Sequence, residues 1–236
     1  MDVTITKSIF KETTKQLFSS AGAVQIIQCN VKIDMCIFSH NKALYSGSVE
    51  ISDSPSIIFN NSLIEYSSAY KFGAMMFDGH EASNVGNIIN SNFSFNAADS
   101  WVGGVRLQHN HGTVKFSTFS NNKAHRYAAL FDYTHKPAER IFDHVSFINN
   151  TATDYGAGFT SYHLLYVGVL RDCIFYGNRN QGKLNGRSVL LQSDCGQLKI
   201  SNCVFEGNVH DEVLAYFPLS EVSYEGANVF QNRTNF

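Results

Sequence analysis

The sequence predicts an all-β fold, a right-handed parallel β-helix (solenoid) of about eight to nine coils. Three observations predict it. A Phe-x-x-Asn motif recurs at Phe38–Asn41, Phe93–Asn96, Phe119–Asn122, Phe147–Asn150, Phe175–Asn178 and Phe205–Asn208. With Ile64–Ser67 in the gap and Phe10 and Phe230 as degenerate outer copies, successive index positions step by about 25 to 30 residues. Within each step the apolar residues fall into short segments with β-former character, separated by Asn, Gly and Ser turns. None shows the i, i+3, i+4 spacing of a helix. The right hand is expected from the crossover preference of parallel strands. The whole chain, 1–236, reads as one repeat domain: a degenerate first coil over 1–30, core coils over 31–208 and a degenerate last coil over 209–236.

Each element of the coil has a physical reason. The index Phe and the residue two before it (Ser8, Cys36, Ser62, Ser91, Ser117, Val145, Cys173, Cys203) share strand parity, so both point inward. The Asn of the motif follows at the turn, where Asn tolerates left-handed backbone and stacked amides bond to one another. Five residues after the index stand Ala43, Ala69, Ala98, Ala124 and Ala152. A small-residue step then leads into an apolar strand, as in Phe72-Gly73-Ala74-Met75 and Gly156-Ala157-Gly158-Phe159. A last segment, such as Ser56-Ile57-Ile58-Phe59 or Gln197-Leu198-Lys199-Ile200, closes the coil before the next index. This gives three strands per coil.

Composition agrees with this reading. Charged residues are 16% of the chain, against roughly 25% in an average soluble domain. Like stacks on like in a solenoid, so a column of equal charges repels and amides or hydroxyls replace it. A net charge of −2 gives no footprint for nucleic acid. No apolar run approaches the roughly 20 residues of a membrane span, and the start carries no signal-peptide pattern. Nineteen Phe and 11 Tyr exclude intrinsic disorder. The five cysteines form no C-x-x-C pair. Cys36, Cys173 and Cys203 share the small inward slot and read as buried thiols rather than a disulfide framework.

The pairing of Phe-x-x-Asn with a Gly-Gly-Ala-Ile-like step, best kept in Phe72-Gly73-Ala74-Met75, resembles the polymorphic outer-membrane protein repeats. These are known from chlamydial autotransporter adhesins and related parasite proteins, within the pectin-lyase-like β-helix superfamily. Tyr127-Ala128-Ala129-Leu130 has lost both glycines of the step. The resemblance implies a secreted or cell-surface rod used in adhesion. Polysaccharide lyases and hydrolases also occur on this fold, with clustered Asp and Arg or Lys on one outward face.

Candidate chemistry was sought on that basis. Outward carboxylates and cations after the apolar strand are Glu50, Asp53, Asp78, Arg106, Asp132 and Asp194, with Asp132, Asp78 and Arg106 the catalytic candidates. His109 and His111 stand at i and i+2, the start of a metal site if a third ligand comes from another coil. Asp143-His144 with Ser146 lacks the Gly-x-Ser-x-Gly elbow of a hydrolase. Tyr133, Tyr155, Tyr162 and Tyr176 are candidates for a binding strip toward a carbohydrate or protein. Sequons stand at Asn60, Asn92, Asn149 and Asn232. No cofactor is expected. The expected role is non-enzymatic binding to a glycan or a host or surface protein, without nucleic acid or membrane insertion. The alternatives are a carbohydrate-active enzyme and an assembly unit that self-associates end to end, since neither end reads as an amphipathic capping helix.

Overall fold

A computed structural model describes residues 1–14, 20–79, 84–108, 111–134, 138–163, 166–181, 189–193, 197–208, 213–215 and 221–231. Its described strands stack in parallel into four sheets of nine, nine, six and eight strands, one strand of each sheet per turn. The chain is a parallel β-solenoid. One central turn shows the order: β16 (His111–Lys115) in sheet one, β17 (Thr118–Ser120) in sheet two, β18 (Lys123–Ala124) in sheet three and β19 (Leu130–Thr134) in sheet four. Each pairs in register with its equivalent one turn later, as in Phe119 with Phe147 and Ala124 with Ala152.

The turn therefore has four strands where the sequence predicts three. The extra one is the two-residue strand ending on the repeated Ala, whose column Ala43–Ala69–Ala98–Ala124–Ala152 runs in register and ends on Asn180. Two residues carry no readable alternation, so the segment looks like a turn until its backbone ladder is seen.

Inside sheet two the index rings form the core column. Phe93, Phe119, Phe147, Phe175 and Phe205 stack at 4.8 to 5.3 Å and are fully buried, with Phe230 continuing the column and Phe10 stacked on Phe38. Each buried ring contributes about 1.5–3 kcal/mol. At the third turn the index residue is Ile64, and the column is bridged by Phe59 of sheet one, 6.3 Å from Phe38 and 5.6 Å from Phe93.

Beside the rings runs a buried amide ladder. Asn122 Oδ1 accepts from the backbone N–H of Asn96 (3.0 Å) and from its Nδ2 (3.1 Å), while Asn122 Nδ2 donates to the Phe93 carbonyl (2.9 Å). Asn150, Asn178 and Asn208 repeat the pattern. Where Ser67 replaces Asn, its hydroxyl and that of Ser48 meet at 2.7 Å, and Ser48 takes up the Asn41 amide. The left-handed residue at this corner is not the ladder Asn, as the sequence suggests, but its predecessor: His40, Tyr66, Phe95, Asn121 and Asn149 have φ between 51 and 56°. The ladder Asn needs ordinary backbone so that its amide turns inward to the neighbouring turn.

The small slot two before the index is a second ladder. Ser62 Oγ accepts from the Cys36 N–H (3.0 Å) and donates to the Asn60 carbonyl (2.6 Å), and Ser91 and Ser117 repeat this. Cys173 and Cys203 take the same slot as buried free thiols, the Cys173 N–H donating to Cys203 Sγ at 3.4 Å.

Candidate functional site

Sheet four carries the residues with chemistry. In β7 (Val49–Ser52), β11 (Met75–Asp78), β15 (Val105–Gln108), β19 and β23 (Phe159–His163), alternate residues face outward: Glu50, Met76, Arg106, Phe131 and Thr160 in one column. Ser52, Asp78, Gln108, Tyr133 and Tyr162 form the next. This outer face is not open. Phe72, Val102 and Tyr127, on the preceding corner, pack with Met76 and Phe131 into a second apolar cluster, with Trp101, Tyr133 and Tyr155 against it. The result is a second, smaller apolar layer outside the solenoid core.

Arg106 is its central cation. The guanidinium lies 5.2 Å from the centre of the Phe72 ring and 5.5 Å from that of Tyr133, within cation–π range. It also donates to Met76 Sδ (3.2 Å) and to Gln108 Oε1. Burial pushes the Arg106 pKa down, against the pull of Asp78 and then Tyr133. Glu50, outward by parity but buried, is raised by desolvation. Hydrogen bonds from Gln25 and Ser46 oppose the rise, and the Asp78 charge adds to it. Tyr127 is pushed up to about 12, chiefly by burial. Tyr133 stacks on Tyr162 at 5.5 Å, Tyr155 on Tyr127 at 5.5 Å, and Tyr162 is 39% exposed. Arg126 covers Trp101 at 5.0 Å.

The sequence-predicted residues divide. Asp78, Arg106, Tyr133, Tyr155 and Tyr162 come together here, whereas Tyr176 lies in sheet two, on β25 (Ile174–Tyr176). Glu50 and Asp132 are not solvated edge carboxylates. Asp132 points inward: it shares the parity of Leu130, is 0% exposed, and pairs with Arg140 of β20 (Ala138–Asp143), Nε to Oδ1 at 3.2 Å. Arg140 also donates to the His111 carbonyl at 2.5 Å. Its interior place is made by glycine. Gly112 and Gly168 are its register neighbours, and a Cβ on Gly112 would meet Arg140 Nη1 at 2.8 Å and the Gly86 carbonyl oxygen at 2.0 Å. The sequence misled on Asp132 because the outward face of this strand is itself covered, so Phe131 and Tyr133 are outward apolar residues and the usual parity rule inverts.

His111 is exposed at the start of β16; His109, Asp194 and Asn232 lie outside the described residues. Of the remaining sequons, Asn92 and Asn149 are exposed, whereas the Asn60 amide donates to Asp34 at 3.1 Å. Sequence reasoning missed one cluster. Asp143, His144 and Asp172 place ligand atoms within 4.8 Å of one another. Arg171 holds both Asp143 oxygens (3.1 and 2.7 Å), so a guanidinium already stands where a cation would. That hydrogen-bonded pairing lowers Asp143 to about 2.

Comparison of the chain with protein-family models, with curated proteins and with solved structures finds no match.

Proposed function

We propose that the chain is a non-enzymatic binding module, secreted or displayed on a surface, which presents the outer face of sheet four to a glycan or protein partner. The carrying observation is the convergence of Arg106, Gln108, Tyr133 and Tyr162 on one outward face of a rigid stack. Arg106 supplies a partly desolvated cation, Gln108 an amide and the tyrosines phenolic tips over apolar bodies, a composition suited to recognition. Removal of Asp132 into the interior ion pair takes the leading catalytic carboxylate away from this face. Repeated turns add multivalency, since weak contacts along one rod reinforce one another.

The test is a binding screen of the intact chain against immobilised glycans and surface proteins, followed by Arg106→Gln and Tyr162→Ala. The expected result is at least a tenfold loss of affinity for the bound partner in each variant. Equal binding by both variants overturns this face as the site. A second reading, a polysaccharide lyase or glycoside hydrolase, is favoured by one observation: Glu50 and Asp78 stand on neighbouring strands of this face, and burial and then the Asp78 charge raise Glu50. Two carboxyl groups in unequal surroundings are the starting point of acid–base catalysis. Turnover of a polysaccharide that vanishes in Glu50→Gln makes the enzyme reading the correct one. Particle growth with concentration in light scattering supports end-to-end assembly instead.

A further inference from the structure

The two corners of sheet two are left-handed in nearly every turn. Where Asn, Asp or Gly occupies them, this is an ordinary choice. Eight other side chains break that rule, Lys7, Glu12, Met35, His40, Tyr66, Phe95, Phe116 and His144, and the large apolar ones among them are Met35 (φ 54°), Tyr66 (φ 51°), Phe95 (φ 55°) and Phe116 (φ 50°). All four are also exposed, at 46, 47, 47 and 55%. Each is unfavourable twice, in backbone conformation and in apolar surface left in water. All four fall in four consecutive turns, those of β5 (Ile37–Ser39), β9 (Leu63–Glu65), β13 (Asn92–Ser94) and β17. Exposed apolar side chains gathered on one face, each held on left-handed backbone, point to a use for that face.

The patch has a definite chemistry. His40, Tyr66 and Phe95 stack at 5.0 and 4.9 Å along the solenoid axis, so their ring faces cover each other and their edges point out. Aromatic edges are the positive part of the ring quadrupole and attract oxygen lone pairs. Beside them a shallow cleft is lined by Met35, Ile37, Leu63, Asn61, Asn90 and Asn92. Its amides run in a row, Asn90 Nδ2 donating to Asn61 Oδ1 at 3.1 Å. The outward residues of the four strands and their corners include one carboxylate, Glu65, and no Lys or Arg. An anionic partner finds no Lys or Arg here, and a cationic one a single carboxylate. An uncharged, oxygen-rich polymer finds ring edges, amides and hydroxyls repeated once per turn.

We propose that the outer face of sheet two, over the turns of Met35 to Phe116, binds a neutral polysaccharide lying along the stacked Tyr66 and Phe95 and the Asn61–Asn90 row. This face shares no residue with the outer face of sheet four, so the proposal stands or falls separately from that reading.

The experiment titrates the intact chain with cellohexaose, xylohexaose, laminarihexaose and mannohexaose by calorimetry. It compares wild type with a Tyr66→Asn/Phe95→Asn double variant and with Val167→Asn, an exposed change on sheet one. Asn fills the same left-handed slot at Asn121 and Asn149, so the double variant is expected to fold and to melt at or above the wild-type temperature. The expected result is binding of at least one hexasaccharide by wild type and Val167→Asn, weakened at least tenfold in the double variant. Absence of binding to all four sugars at millimolar concentration overturns the proposal, and so does undiminished binding by the double variant. Wild-type dimerisation that disappears in the double variant also overturns it, by assigning the face to a second copy of the chain.

Discussion

The column beneath sheet two and the corner between sheets four and one are products of the same repeat, held together by opposite means. Beneath sheet two, identical residues meet at most turns, that of Ile64 and Ser67 excepted: ring on ring and amide on amide, with the ladder amides bonded to the neighbouring turn. At the corner the repeat is broken. Ile51, Phe77 and Leu107 give way to Asp132 in one column, and a single Arg140 fills space left by glycines in the other. The first region gains stability by repetition, the second identity by exception. A repetitive core has neighbouring registers of nearly equal energy, whereas a unique charged pair has only one register in which both charges are compensated.

The largest expected effects test that contrast directly. Phe119→Ala opens a cavity in the ring column and is expected to cost about 3–5 kcal/mol in denaturant unfolding; a loss below about 1 kcal/mol contradicts its stacking role. Asp132→Leu leaves Arg140 buried without its counter-charge and is expected to cost about 3–5 kcal/mol, whereas Asp132→Leu/Arg140→Met falls within about 1 kcal/mol of wild type or above it. Equal losses in the single and double variants would show that the pair is not coupled.

A smaller effect tests the amide ladder. Asn122→Ala strips a partner from the Asn96 N–H and from the Phe93 carbonyl, with an expected loss of about 1–3 kcal/mol. Asn122→Asp keeps the acceptor but not the donor, so it is expected to lose less at low pH than at neutral pH, where its buried charge adds a further penalty.

The smallest effect is at the solvent-facing ion pair. Arg171 holds Asp143 at about 2, below the unfolded carboxylate value of about 3.9. A depressed acid stabilises the fold above the unfolded value and loses that stabilisation as pH falls toward the folded one. Stability should therefore decline between about pH 4 and about pH 2 in wild type, and less steeply in Arg171→Ala. Arg171 is half exposed, so the difference is expected to be the smallest of the four and reduced further by salt. Identical acid-unfolding profiles would remove the pair from the balance.

The two regions also differ in how far they are legible in sequence. Stacking requires the same residue at the same phase in every turn, so Phe38, Asn41 and their repeats announce the fold. Asp132 and Arg140 occur once and have no period to betray them. Asp132 was further masked by Phe131 and Tyr133, whose apolar outward positions reverse the expected pattern. Arg106 and Tyr133 were legible as candidates because polar and aromatic residues follow the apolar strand, but their convergence depends on Phe72 and Tyr127, supplied by another segment of the turn. The ladder of His40, Tyr66 and Phe95 went unread because it occupies a variable position of the repeat motif. Its signal is an aromatic residue where the later turns place Asn or Gly.

The asparagine clamp has a direction. Each amide reaches back: its oxygen takes a backbone N–H of the preceding turn, and its nitrogen gives to that turn's index carbonyl. Through this clamp a turn's inner amide and index carbonyl are completed by its successor. On a chain made from the N-terminus, each new turn arrives with the side chain that closes this part of the one before it.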